Sequence, residues 1–316
     1  MKNIRVCAKD FQKGAYSGQR QDGFPMHPAL KQQADIHGDN IINDMDMIAL
    51  VTGSGRVRIG KSVISNQIGY YHYWRMKHIY KKPVHFSLER NYAFSGEEFV
   101  EKAHWLNKHK YNYSPLIYDE AGADIESIKV LTKRTRAIMD YFRECGQYNL
   151  FNILVLPEFF KLPDWIAINR SDFLVNCYTS KAKTINPEGN KSYQVKRGYY
   201  QFFSGRRKKK LYMLGKKNFN NYASVKGNFS GKWSNCFCLD WNKYNDMKKI
   251  ALVSRDTSPR KELWLTQRNA ILTYVRKEFG KSPTKISEEL LNSTGILMPM
   301  EAIKNGIHTF SKENRF

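Results

Sequence analysis

Acidic residues are in short supply: 29 Asp and Glu face 52 Lys and Arg, leaving a formal charge of +23 at pH 7 over 316 residues. A surface so rich in one sign attracts polyanions, with nucleic acid the first candidate partner and a membrane surface the second. Long apolar runs are missing too. Nothing approaches the roughly 20 residues of a spanning helix, and the opening MKNIRVCAKDFQKG has no apolar stretch of the secretory kind. The expectation is a cytoplasmic protein with no integral membrane segment. Cysteine is sparse and scattered: Cys7, Cys145, Cys177, Cys236 and Cys238 contain no Cys-x-x-Cys pair. A zinc site needs four ligands, and Cys236-x-Cys238 has no matching pair elsewhere, so these two thiols suit a buried strand face instead. No repeat of fixed period appears.

What is present is ample material for a core, with 41% of residues apolar or aromatic. Residues 1–44 are polar and mixed and read as an N-terminal arm or interface segment. From Met45 the texture changes to apolar runs (MDMIALVTG, PVHFSLE, PLIYDEAG, LFNILVLPE, SDFLVNCYT) alternating with stretches of helical period, one of them opened by Ser95 as N-cap. That alternation predicts an α/β domain with a mostly parallel sheet over 45–180. Residues 181–258 read as a basic, aromatic, β-rich extension. Residues 259–316 carry three helix-like pieces separated by Gly, Pro and Ser turns.

The most specific signal lies in ALVTGSGRVRIGKSVIS, where Gly55, four further residues, Gly60, Lys61 and Ser62 fit the phosphate-loop pattern in full. Average residue usage places that pattern in about one random chain of this length in a hundred. Its context is also right, an apolar strand before and a helical period after. Gly55, Arg56, Arg58, Gly60, Lys61, Ser62 and Val63 then form the expected cradle for ATP. Lys61 would reach the outer phosphate oxygens, and the Ser62 hydroxyl would help hold Mg²⁺. Such a cradle needs a carboxylate for the metal and a group to position water. SPLIYDEAG supplies both at the end of a strand, Asp119 on the metal side and Glu120 toward water. For charge developing on the terminal phosphate, Arg170 just before a strand is the favoured trans-acting arginine, with Arg134, Arg136, Arg56 and Arg58 as alternatives.

These residues resemble the P-loop ATPases related to FtsK and HerA, in particular the zonular-occludens-toxin-like ATPases of filamentous phages, viruses and plasmids. GSGRVRIGKS, LIYDEAG, FNILVLPEFF and NRSDFLVNCY carry the resemblance, spanning about 130 residues. KKKLYMLGKKNFNNY also looks like the segment that follows the ATPase core in such proteins. The resemblance implies a RecA-like core, ring assembly that is commonly hexameric, and ATP-driven movement of DNA. One departure stands out: relatives commonly place a polar sensor such as Gln after the strand where this chain has Pro157 and Glu158.

In the C-terminal half, GRRKKK falls between two aromatic runs and reads as the tip of a basic β-hairpin. Arg206, Arg207, Lys208, Lys209 and Lys210, with Lys216 and Lys217 beyond, are the expected contacts to single- or double-stranded DNA. Aromatic alternation with solvating lysines at a turn is the plainer account. SPTKISEELLNSTGILMPMEAIKNGI has the outline of a helix-turn-helix, its second helix offering Lys304 and His308 as basic groups. A small helical bundle or lid fits equally. The sequence therefore points to an oligomeric ATPase motor on DNA, of translocase, helicase or packaging type. A terminase-type packaging motor, an ATP-gated DNA-binding adaptor and a virion extrusion ATPase are the alternatives.

Overall fold

The computed structural model describes residues 4–16, 23–53, 58–125, 133–185, 191–256, 259–294 and 297–313. The chain divides into two units, Met1–Met247 and Lys248–Phe316.

The first unit opens with three short strands, β1 (Ile4–Cys7), β2 (Ala15–Tyr16) and β3 (Gly23–Met26), before helix α1 (Pro28–Ile42). Pro28 suits the first helical position, and the His27 ring accepts the Ala29 amide at 3.2 Å. The core elements follow in alternation: β4 (Met47–Gly53), α2 (Lys61–His78), α3 (Leu88–Asn91), β5 (Tyr92–Ala93), α4 (Gly96–Lys108), β6 (Pro115–Tyr118), α5 (Gly122–Ile125), α6 (Lys133–Glu144) and β7 (Phe151–Val155). Ser95 caps α4 by accepting the Glu98 amide at 3.3 Å, and the Glu98 carboxylate reaches back to accept the Phe94 amide, just before the cap, at 2.7 Å. A long hairpin, β8 (Phe173–Ile185) with β9 (Lys191–Ser204), leads into α7 (Gly205–Lys217), β10 (Phe229–Lys232), β11 (Phe237–Asp240) and α8 (Trp241–Asp256).

Seven strands form the central sheet in the order β10-β9-β8-β4-β7-β6-β5. The run from β5 to β8 is parallel, and β9 and β10 add antiparallel. The expected extension after residue 180 thus continues the core sheet. β4 lies at its heart with all seven residues buried, as a parallel strand covered on both faces requires. Alternation along it separates two cores. Ile48 and Leu50 join Leu116, Leu154, Leu174 and Phe203 under α4, α6 and α7. The opposite face meets α1 and α2, where His37 stacks on Phe173 at 4.7 Å and His72 meets Phe151 at 4.8 Å. Helix α1 buries Leu30, Ala34 and Ile41 in this layer, so residues 28–42 belong to the folded core rather than to an arm.

The β8–β9 hairpin outruns the sheet. Opposite residues share a face, so Lys181 pairs with Val195 and Lys183 with Tyr193 on one side of a two-stranded ribbon. Tyr193 and Val195 are exposed.

The expected basic hairpin tip at 205–210 is corrected: Gly205–Lys217 is a helix. Cationic residues at a helix N-terminus oppose the dipole, but Leu211, Tyr212 and Gly215 are buried on the inner face, and that tertiary burial decides the conformation.

In the second unit, α9 (Pro259–Phe279), α10 (Pro283–Thr294) and α11 (Met300–Glu313) enclose a small core of Leu272, Ile286, Ile303 and Ile307. The two helices of the expected helix-turn-helix stretch correspond to α10 and α11, and Lys304 and His308 are exposed on α11. Among the described residues, no helix is long and apolar enough to cross a membrane.

Candidate active site

The site forms beyond the C-terminal ends of the parallel strands, where open α/β sheets leave a crevice. β4 delivers the chain to the phosphate loop, and Gly60 turns it into α2 with φ of 93°. That left-handed geometry favours glycine. Lys61 is the first residue of α2, and no acidic side chain occupies the first turn. The positive end of the helix dipole therefore meets no acidic side chain of its own first turn, the arrangement that suits phosphate. Val63 is buried and its amide bonds the Gly60 carbonyl at 3.1 Å, so it supports the turn rather than the cradle. Arg58 is exposed with φ of 56°. Gly55 and Arg56 lie outside the described residues, as do the side chains of Arg134 and Arg136.

Asp119 arrives from β6, two places away in the sheet with β7 between. The Ser62 hydroxyl donates to its carboxylate, with oxygens 3.0 and 3.2 Å apart. Asp119 is 1% exposed, and the Glu120 amide donates to its Oδ1 at 3.1 Å. The Tyr244 hydroxyl donates to Oδ2. Burial raises the Tyr244 phenol well above its ordinary range, reinforced by the Asp119 charge, so it stays a donor. Glu120 follows with φ of 64°, a strained backbone for a non-glycine residue and the kind of outlier that gathers at functional sites. Behind the loop, burial pushes the Cys177 thiol up to about 12, opposed by the Lys61 ammonium.

Hydroxyl and carboxylate oxygens facing each other suit a hard cation such as Mg²⁺. Among the described residues, no cluster of three or more His, Cys, Asp or Glu could hold a metal, and the facing pair here is one hydroxyl and one carboxylate. This donor set fits an ion that shares its shell with phosphate oxygens.

Two residues from late in the chain complete the walls. Segment 234–244 is fastened to α2, where Gln67 donates to the Ser234 and Cys236 carbonyls at 2.6 and 2.8 Å and Asn66 accepts the Cys238 amide at 2.6 Å. That fastening brings in Tyr244, and it seats the Trp233 ring so close to Gly60 that a Cβ there would lie 1.9 Å from the ring. Sequence spacing gave no signal for Trp233 or Tyr244. Cys236 and Cys238 are both buried.

Other expected residues lie apart from this cluster. Arg170 precedes the N-terminal end of β8, the opposite edge of the sheet. Its guanidinium pairs with Asp46 and donates to the Phe142 carbonyl at 2.5 Å, so it is held within its own chain. Glu158, after β7, accepts from Asn220 at 2.7 Å and pairs with Lys161 at 3.4 Å. Lys208 is corrected as a nucleic-acid contact: it is 1% exposed, and its ammonium donates to the Ser171 hydroxyl at 2.6 Å. Burial lowers its pKa to about 8, with nearby Asp172 opposing the shift. Arg206, Arg207, Lys209, Lys210, Lys216 and Lys217 are exposed on α7. Arg207 bonds the Gly227 carbonyl at 2.6 Å, and Lys216 lies over the Tyr212 ring.

No family model matches the chain, and no curated protein matches it. Among solved structures, the genome packaging NTPase B204 from Sulfolobus turreted icosahedral virus 2 in complex with ATP-gammaS is similar at 18% identity, over 51% of this chain and 93% of that one, with a TM-score of 0.32. The same NTPase in complex with AMPPCP gives 19% identity, the same coverage and a TM-score of 0.32. Likeness at this level leaves the assignment to the residues themselves.

Proposed function

We propose that this chain is an ATP-hydrolysing motor acting on DNA, with Mg²⁺ as its metal, of the translocase, helicase or genome-packaging kind that viruses and mobile plasmids encode. The observation that carries the reading is the Ser62 hydroxyl 3.0 Å from the buried Asp119 carboxylate at the head of the Lys61 helix. Lys61 and the first amides of α2 bind the phosphates. Ser62 and Asp119 hold the metal, which when bound neutralises charge on the phosphate oxygens. Tyr244 keeps the Asp119 carboxylate in place, and Glu120 orients the attacking water and accepts its proton. Arg170, engaged with Asp46, has no part in this scheme.

DNA enters through charge. The +23 balance and the exposed face of α7, where Arg206, Lys209, Lys210 and Lys217 recur at helical spacing, suit a phosphate backbone. On a helix these groups position the backbone rather than stack bases. Assembly as a ring, commonly hexameric, follows from the resemblance to FtsK- and HerA-related ATPases.

The test is steady-state ATP hydrolysis without DNA, with single strands and with duplex at fixed salt, for the intact chain, Lys61→Ala and Glu120→Gln. A motor gives several-fold stimulation by DNA and loss of turnover in both variants. Tight DNA binding with slow, unstimulated hydrolysis refutes the motor and favours an ATP-gated adaptor.

A further inference from the structure

We propose that Arg197, on β9, contacts the terminal phosphate of the nucleotide bound by its own chain. The inference rests on the ATP-binding reading above and adds a residue that no motif marks.

The sheet itself places this side chain. β8 and β9 pair Tyr178 with Tyr199 and Ser180 with Lys196, so between these pairs Thr179 faces both Arg197 and Gly198. This is a β-bulge, and Gly198 takes φ of 98° to make it. Bulges beside functional sites re-aim a side chain out of the regular alternation. Here the re-aimed side chain is Arg197, whose Nη1 donates to the Arg58 carbonyl at 2.9 Å, two residues before the glycine that opens α2. The bulge is anchored from the far side as well, because the Trp233 amide donates to the Gly198 carbonyl at 2.9 Å while the Trp233 ring covers Gly60. Bulge, tryptophan and phosphate loop are thus one contiguous wall.

Partner chemistry then narrows the role. A guanidinium carries five N–H donors in a planar fork suited to phosphate. The partner of Arg197 among the described residues is a neutral carbonyl rather than a carboxylate, and the side chain is exposed. The Arg58 carbonyl it bonds lies in the loop that leads into the Lys61 helix, whose first turn carries no acidic residue, so the guanidinium borders the segment read above as the phosphate cradle. The group that distinguishes ATP from ADP is the terminal phosphate, and stabilising its charge is what an arginine does in phosphoryl transfer. Arg197 reaches the loop from within the chain, whereas Arg170 is tied to Asp46 at the opposite edge of the sheet.

The experiment is equilibrium binding of ATP-gammaS and of ADP, each with Mg²⁺, to the full chain by titration calorimetry. Wild type, Arg197→Ala, Arg197→Lys and Gly198→Ala are compared, with thermal melting of each. Arg197→Ala is expected to lose tenfold or more in affinity for ATP-gammaS, to hold ADP within about twofold of wild type, and to melt as wild type does. Arg197→Lys should recover part of the loss. Gly198→Ala, which disturbs the bulge and leaves the guanidinium intact, should show the same selective loss. If Arg197→Ala binds both nucleotides as wild type does, the assignment is wrong. Equal weakening of both also overturns it, because Arg197 would then only prop the loop through Arg58. Wild type that binds neither nucleotide overturns the ATP reading itself, and the inference with it.

Discussion

Replacing Gly60 by alanine probes the junction on which the site depends. The substitution meets two separate obstacles. Its backbone sits at φ of 93°, where a side chain costs about 1 kcal/mol or somewhat more. Its Cβ would also lie 1.9 and 2.0 Å from two carbons of the Trp233 ring, well inside contact distance. Relieving that overlap means shifting a ring held by its own amide on Gly198, an overpacking penalty of about 1–3 kcal/mol. Gly60→Ala should therefore destabilise the first unit by about 2–4 kcal/mol. A double-mutant cycle separates the two parts, because in a Trp233→Ala background only the backbone cost of about 1 kcal/mol remains. Urea unfolding followed by tryptophan fluorescence reads this, since Trp264 is the only one of the six tryptophans outside the first unit. A Gly60→Ala cost that is the same in both backgrounds would refute the seating of Trp233 on the phosphate loop.

Further outcomes follow from neighbouring groups. Burial lowers both His37 and His72 to about 4 from the usual 6.5. The unfolded chain then binds more protons between those values, so stability is complete above pH 6.5 and falls as the pH drops toward 4. Each histidine contributes a loss of about 2 kcal/mol by pH 5, and His37→Leu should flatten that slope in a pH series of denaturation curves. An unchanged slope would show that His37 accepts a proton in the folded state at its ordinary pH. Glu120→Gly and Glu120→Gln should both lose turnover, but only glycine relieves the φ of 64°, so Glu120→Gly should be about 1 kcal/mol more stable than Glu120→Gln. Equal stabilities would mean that the backbone there carries no strain. Tyr244→Phe removes a buried donor to a carboxylate, which should cost about 1.5–3 kcal/mol of stability. The Mg²⁺ concentration for half-maximal hydrolysis should rise several-fold, and metal dependence identical to wild type would exclude a role for Tyr244 in holding Asp119.

The legible parts of this molecule are those set by neighbours in sequence. GSGRVRIGKS and PLIYDEAG announce a turn and a strand end because local composition dictates both, and the structure brings Ser62 to Asp119 at hydrogen-bond distance. The alternation over 45–180 likewise carries the parallel sheet. What failed to show depends on partners far along the chain. GRRKKK has the composition of a solvated turn and becomes helical because Leu211 and Tyr212 find a core that local sequence does not reveal. Lys208 looked like one more surface cation, yet it is buried beside Ser171. Arg170 stood in a suggestive place before a strand, but its partner Asp46 lies 124 residues earlier. Trp233, Tyr244 and Arg197 reach the site through a bulge and through hydrogen bonds to α2, and no spacing rule anticipates either.

The bulge at Gly198 has a consequence for engineering. Inward of it, the pairing of β9 is fixed by β8 and β10. Outward, from Ser180 and Lys196, the two strands pair with each other and with no further strand among the described residues. Reach and placement are therefore separable properties. Deleting two residues from each outer strand would shorten the ribbon by about 7 Å and preserve which face every remaining residue occupies. Deleting one from each would invert the outer faces, turning Lys181, Lys183 and Tyr193 over together. In neither case does the inner register move. The ribbon is a length-adjustable module mounted on a fixed base, open to being resized or regrafted while Arg197 stays against the phosphate loop.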